Sequence, residues 1–361
     1  MTRTKVFHGK VMVFEDKEQR FKDFERGWKA IRARNKPELT RYILPENEAG
    51  PAIEHVVGLL KKPDVGMVIV DEDLSKYHGK GYVVSSDIKK HCRRLGIPIC
   101  AYSKRSDEYK IEETQSWTQA QVTLDSRRSV RELAARCNEV CAGFSLIREA
   151  FENGQKGKMK FGEVLPKLLG APEVAVPQIN QYAWGHFEII CELQGRIDDK
   201  RLTLSVASTV AGYWVFNVLM RFPGVLLNET ATASHLGVSP AAFSRSRTAQ
   251  SVFAMARYHG PFGDLNKYWW RTRLDEIIAK ESDLASTPLD GRRALARLGV
   301  KLPVVRCSDE KHLGAGYYCI LTDEPVCLEH SVAPKRWLPM GADKSRIRSS
   351  VYEMMDPLIG L

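Results

Sequence analysis

Val68-Ile-Val-Asp-Glu-Asp-Leu74 is a short apolar run that ends abruptly in acids. A run of this length bounded by polar residues reads as a buried strand. An acid at the end of such a strand lies at the carboxyl edge of an open sheet, where α/β folds place their sites. Asp71 is therefore the first residue to explain. Outward from it, the first 145 residues alternate. Segments 11–14, 40–44, 65–70, 97–102 and 120–124 carry strand signals. Segments 17–34, 52–60, 85–95 and 129–144 carry helix signals, and 112–118 is a candidate for a further helix. In the first helix Phe21, Phe24, Trp28 and Ile31 fall at helical spacing, and Gly96 stops the third. Strand–helix alternation with short connections predicts a parallel sheet with helices on both faces, an α/β flavodoxin-like unit.

The chain has 361 residues, 43% apolar and 27% charged, which fits a globular protein of two domains. Its net charge of +10 is spread along the chain with no basic tail, so nucleic acid or acidic partners are compatible with it but not demanded. Eight cysteines in a chain this long do not make a disulfide scaffold. No signal peptide is visible behind Met1-Thr-Arg-Thr-Lys5, and reduced thiols in the cytoplasm are the expectation. Residues 202–220 are apolar but carry Thr203, Ser205, Ser208, Thr209 and Asn217, which favours a core helix over a membrane span. The expected organisation is an α/β domain over 1–145, a helical linker and hinge over 146–160, and a mainly helical effector domain over 161–361. The last of these has a Cys/His-rich segment at 300–332 with short β-like runs.

Val11-Met-Val-Phe-Glu15-Asp16 is a strand ending in paired acids, Asp71 ends the third strand, and Ser103 follows the fourth. Together these residues resemble the receiver domain of two-component response regulators, over the N-terminal domain only. The resemblance implies that Glu15, Asp16 and Asp71 hold a magnesium ion. It also implies that Asp71 accepts a phosphoryl group and that Ser103 bonds to that group. The chemistry is coherent by itself: three carboxylates at one sheet edge repel, and a hard divalent cation is their natural neutraliser. Magnesium takes one or two carboxylates plus phosphate oxygens, which leaves Asp71 to act as a nucleophile. The sequence departs from the family where the fifth strand, Gln121-Val-Thr-Leu-Asp125, ends in an acid in place of a Lys. A fourth acid there repels a phosphoryl group. The resemblance implies a signalling protein controlled at this edge by a phosphodonor or a protein partner, with a homodimer as one arrangement.

The second half offers rival readings. Segment 229–248 resembles a helix-turn-helix: Ala233 and Gly237 are four apart, and Leu236, Val238 and Phe243 fall where two helices pack. Ser244, Arg245 and Arg247 would then face a major groove or phosphates, making the chain a nucleic-acid-binding regulator. Two packed helices of a bundle explain the same pattern. In Tyr258–Arg271, Trp270 and Arg271 are a candidate ligand platform, with a core anchor as the plainer alternative. Cys307, Cys319, Cys327 and His330 could make a Cys3His zinc site, with His312 as an alternative ligand; buried thiols and surface histidines are the other reading. No catalytic triad is legible, and an enzyme with its active site in the C-terminal domain is the third alternative.

Overall fold

The structure is a computed structural model and describes residues 9–31, 36–42, 52–72, 74, 84–103, 120–125, 128–193, 203–281, 288–309, 314–335 and 337–359. The side chains of 103, 186, 188–193, 288–290 and 356–359 fall outside this description. The N-terminal elements are β1 (Lys10–Phe14), α1 (Glu18–Lys29), β2 (Leu39–Arg41), α2 (Ala52–Leu60), β3 (Val65–Asp71), α3 (Ser85–Leu95), β4 (Ile99–Ser103), β5 (Val122–Asp125) and α4 (Val130–Lys156). All five strands run parallel in the order β2-β1-β3-β4-β5, the flavodoxin-like arrangement. The helix expected around 112–118 lies outside the described residues.

The sequence makes this sheet for a simple reason. Parallel strands covered on both faces read as near-continuous apolar runs, and from Val11 to Phe14 and from Met67 to Val70 every residue is buried. One face packs Phe14, Val68, Val70 and Ile99 against Val56, Leu60 and Ile88. The other buries sulfur: the Cys141 thiol lies 3.4 Å from Met67 Sδ, and Cys100 Sγ lies 3.9 Å from Cys137 Sγ. Burial pushes the Cys137 and Cys141 thiols well above their ordinary pKa, so both are inert packing groups. Helix α3 stops at Gly96, which sits at φ +66° as a left-handed cap. Helix α4 starts with a capping box, in which the Glu132 amide donates to Ser129 Oγ and the Ser129 amide to Glu132 Oε2, both at 3.3 Å. It then runs unbroken for 27 residues.

The remaining elements are α5 (Phe161–Leu169), α6 (Val176–Leu193), α7 (Leu204–Trp214), β6 (Leu226–Asn228), α8 (Glu229–His235), α9 (Pro240–Arg245), α10 (Arg247–Val252), β7 (Tyr268–Trp270), α11 (Arg271–Glu281), α12 (Pro288–Arg297), β8 (Tyr317–Cys319), β9 (Glu324–Val326), β10 (Ser331–Val332), β11 (Ser345–Arg348) and α13 (Ser349–Ile359). The chain forms two compact units: one holds the parallel sheet and Ala183–Trp214, the other Leu169–Tyr182 and everything from Val215 onward. In the second unit β6 pairs antiparallel with β7 over a core of Phe243, Phe253, Trp269 and Leu274. Its C-terminal end is a curled mixed sheet of order β10-β11-β8-β9, whose Val326 and Ile347 pack with Val305 and Trp337. Among the described residues no helix is long and apolar enough to cross a membrane.

Candidate functional site

Strand register builds the site. Phe14 pairs with Val70 and Asp71 with Tyr102, so the ends of β1, β3 and β4 come level. Glu15 follows β1 directly and Asp71 closes β3; both are buried, at 1% and 2% exposure, while Asp16 is half-buried. One ligand oxygen from each of Glu15, Asp16 and Asp71 lies within 4.8 Å of the others. The three acids named from sequence thus form one cluster at the carboxyl edge, a group able to hold a metal ion.

A side chain not singled out from sequence also enters this cluster. Arg20, on the first turn of α1, donates from Nη1 to Asp71 Oδ2 at 2.8 Å, and its Nε lies 3.5 Å from Glu15 Oε2. Its guanidinium lies over the Tyr102 ring, 4.8 Å from the centroid, and Tyr102 donates its phenol proton to Glu15 Oε2 at 2.6 Å. The Lys17 amide donates to Glu15 Oε1 at 2.9 Å, which ties the carboxylate to the chain entering α1. Glu72, the next acid along, is held by Lys89 of α3 at 3.0 Å and by Gln121 at 3.3 Å.

Burial lifts the Glu15 carboxyl above its ordinary pKa; the Tyr102 and Lys17 hydrogen bonds oppose this, the Asp71 charge adds to it, and Arg20 opposes it. A raised carboxyl favours the protonated form in the folded state. Its contribution to stability is full below the unfolded carboxyl value and is lost as pH rises above it. Glu15→Gln should remove that loss. The wild-type advantage over the variant in urea unfolding is expected to shrink as pH goes from about 4 to about 7. A constant difference across that range would mean that Glu15 is not desolvated.

Ser103 ends β4 in register with Asp125, so the acid at the end of β5 lies beside it; the Ser103 side chain lies outside the described residues. Helices α8 and α9 meet across Leu236–Ser239 with Gly237 at φ +71°. Ser246 ends α9 and its side chain caps α10. Ser244, Arg245 and Arg247 are exposed, and Ser244 donates to Glu229 at 3.2 Å. Trp269 and Trp270 lie on β7, so they face opposite ways: Trp269 packs against Phe243 and Trp270 against Tyr258, each at 5.6 Å between ring centroids. Arg271 pairs with Asp343.

A second group gathers in the C-terminal sheet. Cys307, Cys327 and His330 bring one ligand atom each within 4.8 Å of one another. Cys327 Sγ lies 3.0 Å from His330 Nδ1, and burial pushes its thiol up to about 12. Ser308 donates to the Pro325 carbonyl from both its amide, at 3.0 Å, and its hydroxyl, at 2.9 Å, which sets Cys307 beside the end of β9. Cys319 is not in this group: it is fully buried, and its sulfur accepts from the Arg348 amide at 3.4 Å. His312 lies outside the described residues.

Compared with family models, curated proteins and solved structures, the chain matches none.

Proposed function

We propose that this chain is a regulatory protein in which a receiver-like acidic pocket of the N-terminal unit controls the C-terminal effector region. The observation that carries the reading is the convergence of Glu15, Asp16 and Asp71 at the carboxyl ends of β1 and β3. In this reading the hard oxygen donors take magnesium, and the soft Cys/His donors of the C-terminal sheet take zinc. Glu15, Asp16 and Asp71 would hold the magnesium ion, which would supply a positive centre for a phosphodonor's oxygens. One Asp71 carboxylate oxygen then attacks phosphorus, a new O–P bond forms, and the donor's leaving group departs with the electrons of the bond that breaks.

Two features of the pocket shape this chemistry. Arg20 holds Asp71 Oδ2, and a guanidinium drawing on one oxygen lowers the nucleophilicity of the carboxylate as a whole. Asp125, in register with Ser103, adds negative charge where an incoming phosphoryl group would have to sit. Both favour slow modification and a large change in local charge when it occurs. The test is incubation of the full chain with acetyl phosphate and magnesium, followed by peptide mass spectrometry. The expected result is a phosphoryl adduct on Asp71 that is lost on omitting magnesium and in Asp71→Asn. An unlabelled wild type, or equal labelling of Asp71→Asn, overturns the reading.

A further inference from the structure

We infer that the zinc of the C-terminal sheet is held by Cys307, Cys327 and His330, that Cys319 is not a ligand, and that this ion staples the sheet's loops together. The inference rests on the reading of that group as a zinc site and specifies which atoms make it and what it does for the fold.

Donor chemistry comes first. Two sulfurs and an imidazole nitrogen are the soft and borderline donors that zinc takes, and hard cations such as magnesium or calcium do not select them. Geometry agrees. With zinc–sulfur and zinc–nitrogen bonds of about 2.3 and 2.0 Å, a tetrahedral site has donor–donor edges of roughly 3.5 to 3.8 Å. The trio lies inside 4.8 Å, so an ion enters with side-chain adjustments of up to about 1 Å, opening the 3.0 Å contact between Cys327 and His330. The fourth donor of the tetrahedron lies outside the trio.

The three residues reach this point from two separate stretches of chain, each held by bonds that do not involve a metal. Cys307 is placed by Ser308 on Pro325. Cys327 and His330 flank a tight turn between β9 and β10. In that turn the Ser331 hydroxyl donates to the Cys327 carbonyl, and Arg346 donates from Nη2 to the Ser331 carbonyl at 2.6 Å. The Ser349 amide donates to the His330 carbonyl at 3.0 Å, fixing the turn to the start of α13. Cys307 and Cys327 are buried at 1% and 3% beside Val305, Val326 and Trp337, which keeps competing water away from an ion there.

Cys319 belongs to the same core cluster as Cys307 and Cys327, but its sulfur is not among the donor atoms that lie within 4.8 Å of one another. It ends β8, and successive residues of a strand face opposite ways. Tyr318 reaches Asp323, while the Cys319 sulfur is directed to the backbone amide of Arg348 on the neighbouring β11. A structural role follows from the size of the sheet. Its four strands are two to four residues long, too short to be stable on ladder hydrogen bonds alone. An ion joining Cys307 to the β9–β10 turn converts binding energy into folding energy.

The experiment is metal analysis of the purified full chain, with cobalt substitution as a second measurement. The expected result is one zinc per wild-type chain, retained in Cys319→Ser and lost in Cys307→Ser and His330→Ala. With cobalt added in excess, enough to refill the weakened site of Cys307→Ser, the sulfur-to-metal charge-transfer band is expected unchanged in Cys319→Ser and roughly halved in Cys307→Ser, as two thiolates become one. This band reports ligands even where a variant is less stable. Zinc that is lost in Cys319→Ser but kept in Cys307→Ser overturns the ligand set and leaves the zinc reading standing. A wild type with no zinc, with either free thiols or a Cys307–Cys327 disulfide, overturns both.

Discussion

Replacing Arg20 by alanine is expected to destabilise the N-terminal unit by about 3 kcal/mol. The variant leaves two carboxylates, Asp71 at 2% exposure and Glu15 at 1%, without the cation that lies against both. Removing one partner of a buried ion pair costs about 3–5 kcal/mol, because the stranded charge is still out of water. The Arg20 side chain is 30% exposed, so solvent screens part of the interaction and the lower end of that range applies. Arg20→Lys should recover only part of the loss. A guanidinium can address Asp71 through Nη1, face Glu15 through Nε and stack on Tyr102 together, and a single ammonium cannot. Urea unfolding of the three proteins reads the effect. In an Asp71→Asn background the same Arg20→Ala change should cost distinctly less, since one of the two carboxylates that face Arg20 is then neutral. A loss below about 1 kcal/mol in the wild-type background would place the pair among solvated surface contacts and refute the buried description.

Arg20 also marks the limit of what the sequence disclosed. The strands were legible because apolar runs such as Val68–Val70 leave no other reading, and Gly96 and Ser129 carry local stop and start signals. The acids were legible because each follows or ends such a run. Arg20 sits two residues inside a helix among many charged neighbours, and only the packing of α1 beside the strand ends gives it a role. Tyr102 read as one more apolar strand residue; its register opposite Asp71 is what brings its hydroxyl to Glu15. The tryptophan pair was harder still. Three-residue strands carry no periodicity, and β7 exists because Leu226–Asn228, some forty residues earlier in the chain, pairs with it. Cysteine spacing likewise places Cys307, Cys319 and Cys327 near one another along the chain without saying which sulfurs converge. All three join one core cluster, where the Cys319 sulfur takes the Arg348 amide and Cys307 and Cys327 meet His330.

The largest effect in the second unit is expected from a methyl group. Gly224→Ala should destabilise it by roughly 3–5 kcal/mol, combining overpacking of about 1–3 kcal/mol with about 1 kcal/mol for each of two backbone-linked hydrogen bonds disturbed. A Cβ at Gly224 would stand 1.7 Å from the Gly341 carbonyl oxygen and 2.8 Å from its carbon, a contact with backbone that no rotamer change relieves. The two segments cannot separate freely. The Pro223 carbonyl accepts from the Lys344 amide at 3.1 Å and from the Ser345 hydroxyl at 2.9 Å, and Gly341 is itself held at φ +89°. Moving them apart breaks those bonds and shifts β11, the strand whose Arg348 amide fixes the Cys319 sulfur. Gly58→Ala makes the contrasting measurement. Gly58 lies inside α2 with nothing within 4 Å of an added Cβ, so alanine there should stabilise by about 0.5–1 kcal/mol through helix propensity. Thermal unfolding of both variants should give shifts of opposite sign. A Gly224→Ala protein that melts with the wild type would show that the 223–224 and 341–345 segments do not approach as closely as this packing requires.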